Sequence, residues 1–182
     1  MSHAMPGLRG GDHLGLTVPN LEAAIDFFTR VIGCEYIYYG GETGNDPAFM
    51  VERLNVHPMA SNRYCFLRCG NGYNLELFEY TSPDQVREPP KNSDIGGHHI
   101  ALYVDDINAA VTHLRAHGVK VLGDPMTIVE GPSAGATWVY FMAPWGLQME
   151  LCSYPKGKAY ANTAKRKLWD PRKAEDRGSP DS

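Results

Sequence analysis

The chain nearly repeats itself. Sliding the sequence by 86 residues lays His13 on His99, Leu16 on Leu102, Val18 on Val104, Ala23 on Ala109 and Ala24 on Ala110, and self-similarity at one offset marks a duplicated supersecondary unit. Each copy opens on alternating residues suited to a strand, "HLGLTV" and "HHIALYV", and continues with apolar residues at helical spacing: Leu21, Ile25, Phe28 and Ile32, then Ile107, Val111 and Leu114. Asn20 and Asp106 are placed to cap these helices, Gly33 and Gly118 to end them. Three β-like runs follow in each copy: "CEYIYY", "RYCFLRC" and "YNLELFEY", then "VKVL", "ATWVYFM" and "LQMELCSY". The order is therefore βαβββ given twice, an α+β chain.

Residues 1–10 read as a leader whose "MSHAM" is a tag remnant ahead of a start at Met5. The first module spans 11–81, a linker 82–96 and the second module 97–153. A polar tail covers 154–182, docked through Trp169 and disordered near its end. The first copy is longer because "GGETGNDPAFMVERLNVHPMASN" extends its middle, with loop-like ends around a short helix in "AFMVERL". A loop of this length in a compact domain is often a lid or pocket wall, and that is the role expected of it here. A net charge of −4 and a pI near 5.9 give no electrostatic case for nucleic acid. No run approaches the roughly 18 apolar residues of a membrane span, so the expectation is a cytoplasmic protein with no membrane partner. Cys34, Cys65, Cys69 and Cys152 are scattered and read as reduced, packed thiols.

Strand alternation decides which side chains share a face. Ile100, Leu102 and Val104 take the apolar face of "HHIALYV" together with His98, leaving His99, Ala101 and Tyr103 on the other. In "HLGLTV", Leu14, Leu16 and Val18 are apolar, and His13 falls with Gly15 and Thr17. Alternation and repeat register thus both choose His99 over His98. In "NLELFEY" Glu76 faces away from Leu75, Leu77 and Glu79; in "LQMELC" Glu150 shares its face with Gln148 and Cys152. His13, Glu76, His99 and Glu150 therefore project from the non-helical faces of the first and last strands. Two imidazoles and two carboxylates suit one divalent cation, with water at the remaining positions, and a cation relieves the repulsion of paired carboxylates.

Carried by "DHLGLTVPNLEAAIDFFTRVIGC", "NLELFEY", "GGHHIALYVDDINAAV" and "APWGLQMEL", the chain over residues 11–153 resembles the vicinal oxygen chelate superfamily. That superfamily includes glyoxalase I, methylmalonyl-CoA epimerase, extradiol dioxygenases, and fosfomycin and bleomycin resistance proteins. The resemblance implies two βαβββ modules forming an open, eight-stranded split barrel around one metal, commonly in a homodimer. The positions matching the ligands of glyoxalase I and the epimerase are His13, Glu76, His99 and Glu150. Such a set implies an isomerase, epimerase or lyase acting on a small molecule: the metal polarises a carbonyl, and a carboxylate removes the neighbouring carbon-bound proton. Glu150 is the first choice of base and Glu76 the second. Zinc, nickel, cobalt, manganese and iron all suit the ligands.

The chain departs from the bacterial coenzyme A epimerase, whose further glutamate has only His57 near it here, a candidate second base or substrate contact. "ERLNVHP" followed by "LELFEY" resembles the cyclitol epimerases more. Tyr103, Tyr140 and Trp138 are candidate pocket residues. Two alternatives stand beside this reading. An Fe(II) extradiol dioxygenase would use His13, His99 and Glu150, with Tyr140 in its pocket. A metal-free binding protein would use Tyr103, Trp138 and Trp145 as an apolar trap for a small molecule such as an antibiotic.

Overall fold

Each copy builds a four-stranded mixed sheet in which the first strand runs parallel to the last. The computed structural model describes residues 5–173. In the first module β1 (His13–Thr17), β2 (Glu35–Thr43), β3 (Ser61–Arg68) and β4 (Asn74–Thr81) lie in the order β1-β4-β3-β2. In the second, β5 (Ile100–Tyr103), β6 (Lys120–Thr127), β7 (Thr137–Met142) and β8 (Gln148–Ser153) lie in the order β5-β8-β7-β6. A parallel pair needs a crossover. Helix α1 (Leu21–Asp26) begins that crossover in the first module, and α3 (Ile107–Ala116) forms it in the second. The described residues form two compact units, one reaching Gln85 and the other spanning Val86–Lys173.

The expected caps hold both helices. Asn20 accepts the Ala23 N–H at 2.8 Å, and Asp106 accepts those of Asn108 and Ala109 at 3.0 Å, supplying partners that the first turn of a helix lacks. A cap that side-chain alternation did not reveal joins them. Glu79, expected among buried residues, accepts the Leu21 N–H at 2.6 Å and an Arg63 N–H at 2.8 Å. Arg63 also binds Glu22, so β3, β4 and α1 are tied by one charged knot. Beyond Asp26 the crossover widens into a π-helical segment, Phe27–Ile32, ended by Gly33 at φ 89°. The wider turn buries Phe27 and Phe28 side by side.

Alternation is obeyed on β4 and β8: Leu75, Leu77, Met149 and Leu151 are buried, while Glu76 and Glu150 face the other way. Burying each large apolar side chain contributes about 1.5–3 kcal/mol, so a shift of one residue would expose the core and is strongly opposed. Some strand expectations need correction. Leu14 is 38% exposed, at the start of β1, an edge strand of its sheet. His99 precedes β5, which starts at Ile100. The run beginning "CEYIYY" continues to Thr43 and leaves Tyr36, Ile37, Tyr38 and Tyr39 about half exposed. In the long insertion, α2 (Pro47–Glu52) forms where a short helix was expected, anchored by the fully buried Met50.

The tail is ordered as far as it is described, and Trp169, 54% exposed, is not its anchor. Arg172 donates to the carbonyls of Tyr154 and Pro155 at 2.8 and 3.0 Å, and Leu168 N–H donates to the Tyr160 hydroxyl at 3.0 Å. Ala159 and Tyr160 pair through their backbone N–H groups with the carbonyls of Ala134 and Pro132. Those two backbone hydrogen bonds join the strap to the second unit, while Arg172 and Leu168 tie the strap back onto its own start. The expected disorder near the end falls on residues 174–182, and part of the leader on 1–4; both lie outside the described residues. Among the described residues, no helix is long and apolar enough to cross a membrane.

Candidate functional site

The register of the two sheets places the same row of side chains in each unit. On β4, Glu76 lies opposite Gly15 of β1 and Phe66 of β3. On β8, Glu150 lies opposite Ala101 of β5 and Tyr140 of β7. Gly15 and Ala101 are small enough for the histidine two residues earlier to lean across. His13 Nε2 comes to 3.1 Å from Glu76 Oε2, and His99 Nε2 to 2.9 Å from Glu150 Oε2. An aromatic ring closes each row edge-on: Phe66 at 5.5 Å from His13, Tyr140 at 5.1 Å from His99. Burial repeats too, with side-chain exposures of 38% and 16% for His13 and Glu76 against 34% and 14% for His99 and Glu150.

The other nitrogen of each imidazole is also held. Asp12 Oδ1 lies 2.6 Å from His13 Nδ1, and Asn92 Oδ1 lies 3.3 Å from His99 Nδ1. An acceptor at Nδ1 fixes the tautomer that leaves Nε2 free to ligate. Asn92 reaches His99 because the segment joining the modules closes on itself. Gly97 N–H donates to Asp94 O at 2.7 Å, and a Cβ at Gly97 would come within 2.1 Å of Lys91 O, so only glycine fits there. In the first unit Asn74 Nδ2 donates to Asp12 O at 3.1 Å, tying the orienting residue to the strand that carries Glu76.

With Nδ1–H donating outward, the Nε2 lone pair points at a carboxylate oxygen. Without a proton or a cation that contact is repulsive. The pKa directions show the unmetallated answer. His13 is raised, first by its hydrogen bond to Asp12 and then by the charges of Glu76 and Asp12, against the effect of burial. Glu76 is raised by burial, opposed by His13. Cys152 donates to Glu150 Oε1 at 3.0 Å, and burial with that hydrogen bond pushes its thiol up to about 12, so it stays a neutral donor.

Spacing tests whether a metal fits. Two donors about 2.1 Å from one ion and about 90° apart stand about 3.0 Å from each other. The observed 3.1 and 2.9 Å match that bite, so each pair can occupy two adjacent positions of one ion. The structure brings the four expected ligands together two by two. Among the described residues, no three or more His, Cys, Asp or Glu side chains are grouped to hold one ion.

The remaining candidates divide. Tyr140 and Trp138 adjoin the second row, their rings 5.1 Å apart, and Tyr103 is stacked edge-on against Tyr154 at 4.8 Å. His57 is occupied in a turn, its Nδ1 accepting the Met59 N–H at 3.1 Å. The orienting residues Asp12 and Asn92 escaped the sequence reading, as did Phe66. The first could have been found as an acidic residue immediately before a ligand; the second sits in a turn with no periodic signal.

A family model for the Glyoxalase/Bleomycin resistance protein/Dioxygenase superfamily matches residues 12–152, and the chain belongs to that superfamily. Among individual relatives, it is 47% identical over 169 residues to a 2-epi-5-epi-valiolone epimerase from an Actinomyces species, covering 92% of this chain and 91% of the relative. That match is too long to stop at residue 152 and extends into the strap. A crystal structure of a glyoxalase family protein from Bacillus cereus superposes with a TM-score of 0.63 at 20% identity, over 82% of this chain and 98% of that one. A fosfomycin resistance protein from Listeria monocytogenes gives 0.52 at 18%, over 80% and 93%. Both show a shared fold.

Proposed function

We propose that the chain is a metal-dependent epimerase that inverts a carbon beside the ketone of a small cyclitol-type substrate, of the 2-epi-5-epi-valiolone kind. The observation that carries this reading is the 47% identity to that epimerase over nearly the whole of both chains. The duplicated His–Glu rows supply the chemistry it requires. His13, Glu76, His99 and Glu150 would be the four protein ligands of one divalent cation, which when bound acts as a Lewis acid on a substrate oxygen.

The chain's own residues do the rest. Asp12 and Asn92 hold the imidazoles in the ligating tautomer. Epimerisation needs one group to remove the carbon-bound proton and a proton donor on the opposite face of the carbon. Glu150 takes the proton on its Oε2, and Cys152 steadies Oε1 while it does so. Glu76, in the equivalent place in the other module, is the group that returns a proton. Tyr103, Trp138 and Tyr140 offer aromatic and hydroxyl surface to the ring. His57, held in its turn, is a substrate contact only if that turn lies along the substrate's path. A homodimer belongs to the proposal, and the half-exposed Tyr36, Ile37, Tyr38 and Tyr39 are apolar surface it would cover.

The test is proton exchange. Incubated in D2O with the ketone and manganese, cobalt, nickel, zinc or iron(II), the enzyme should place deuterium at the inverted carbon, and chelation should stop it. Exchange that persists after the metal is removed would overturn the metal role. No exchange with any of these metals, or oxygen uptake with a catechol, would overturn the epimerase reading.

A further inference from the structure

Two of the four free cysteines face each other directly. The β2–β3 register pairs Glu35 with Arg68, so the next residues outward, Cys34 and Cys69, are cross-strand partners. Their sulfurs are 3.3 Å apart, with the Cys34 thiol donating to Cys69. Opposed residues in an antiparallel pair have Cα atoms about 4.5–5.5 Å apart, within the range that a disulfide spans without moving the backbone. Closing the bond requires the sulfurs to approach by about 1.3 Å, a matter of side-chain rotation.

The environments of the two sulfurs differ. Cys34 is buried behind the end of the π-helical segment, whereas Cys69 is partly exposed at the β3–β4 turn. The hydrogen bond from Cys34 lowers the Cys69 thiol pKa and, with burial, raises that of Cys34. A partly exposed sulfur in contact with a buried one is the arrangement of an attacking and a resolving cysteine. Cys65 and Cys152 lack it: burial raises Cys65 to about 11, and Cys152 is engaged with Glu150.

We propose that Cys34 and Cys69 form a hydroperoxide-responsive dithiol, in which Cys69 is oxidised first and Cys34 resolves it to an intramolecular disulfide. The Cys69 thiolate attacks one oxygen of the hydroperoxide, giving the sulfenic acid and releasing water or an alcohol. Cys34 then displaces the hydroxyl from the Cys69 sulfur, forming the S–S bond and a second product water. Two thiols lose two electrons and two protons, and the peroxide O–O bond accepts them. The resulting bond staples the start of β2 to the β3–β4 turn, the end of the sheet at which Asn74 holds Asp12 beside His13.

The experiment treats the intact, reduced protein with hydrogen peroxide and measures free thiols, intact mass and non-reduced tryptic peptides. The expected result is loss of two of the four thiols, a mass lower by two hydrogens, and residues 31–53 joined to 69–87, all reversed by dithiothreitol. The C34S variant should instead leave Cys69 as a dimedone-reactive sulfenic acid. No cross-linked peptide from the wild-type protein, a cross-link involving Cys65 or Cys152, or one formed between chains would each overturn the proposal. The wild-type reading stands on its own if C34S does not fold.

Discussion

Replacing Glu150 with glutamine separates a proton acceptor from a side chain of the same size. The carboxylate is 14% exposed, its Oε2 is 2.9 Å from His99 Nε2, and its Oε1 accepts from Cys152. Glutamine can keep the Cys152 contact and fill the same space, so the core beneath it, Met149 and Leu151, should not move. What it cannot do is accept a proton. General-base groups contribute about a hundred- to ten-thousand-fold, so exchange at saturating metal should fall by that factor, about 2.7–5.4 kcal/mol at about 1.36 kcal/mol per decade. Glu76→Gln is the paired control, with nearly the same burial and spacing. It should permit the first exchange of the substrate proton while losing net inversion. NMR in D2O reads both, since incorporation and stereochemical inversion are separate signals. Near-normal exchange in Glu150→Gln with loss of exchange in Glu76→Gln would reverse the two roles. Near-normal exchange in both would remove the proton transfer from these rows altogether.

Four further outcomes follow from the same geometry. Asp12→Asn should lower cation affinity about tenfold, the weak end of the range for orienting groups because the Asp12 side chain is 87% exposed, as read by chelator competition. In the metal-free protein the raised His13 pKa contributes stability at low pH that is lost as pH rises through it, and the raised Glu76 pKa means that ionising this buried carboxylate becomes a cost over the same rise. Because metal binding requires both deprotonated, the cation-induced rise in Tm should grow from about pH 5.5 to about pH 8, and a pH-independent rise would contradict the assignment. Phe28→Ala, at a fully buried position in the π-helical segment, should destabilise the protein by about 3–5 kcal/mol in urea unfolding. Arg172→Ala removes the donor to Tyr154 O and Pro155 O, so limited trypsin digestion should cut the strap at Lys165–Lys167 faster while the rest of the chain survives; unchanged cleavage would mean Arg172 does not hold it.

The parts of this molecule that obey a period were legible before any coordinates. Alternation put Glu76 and Glu150 on the face away from the helices, and the repeat chose His99 over His98, because a strand has only two faces and one is claimed by Leu, Ile and Met. The caps Asn20 and Asp106 were legible because an N-cap is a local bond. The illegible parts depend on residues far apart in sequence meeting through register or turns. Phe66 faces Glu76 only because the β3–β4 turn has the length it has, and Asn92 finds His99 only because Gly97 lets the joining segment close. The strap's Trp169 suggests an apolar anchor, yet backbone hydrogen bonds from Ala159 and Tyr160 and the Arg172 contacts to Tyr154 and Pro155 hold it, and such bonds leave no hydrophobic signal. The π-helical segment was hidden for a related reason: Leu21, Ile25, Phe28 and Ile32 fit an ordinary helix equally well.

The central claim is that one cation takes an imidazole from each copy of the repeat. X-ray absorption at the metal edge of the loaded protein tests it most directly, because imidazole rings scatter from several shells and can be counted. The account predicts two imidazoles with the remaining ligands oxygen, falling to one in either His13→Gln or His99→Gln. A single imidazole in the wild-type protein, or a spectrum unchanged by one of those substitutions, would contradict it.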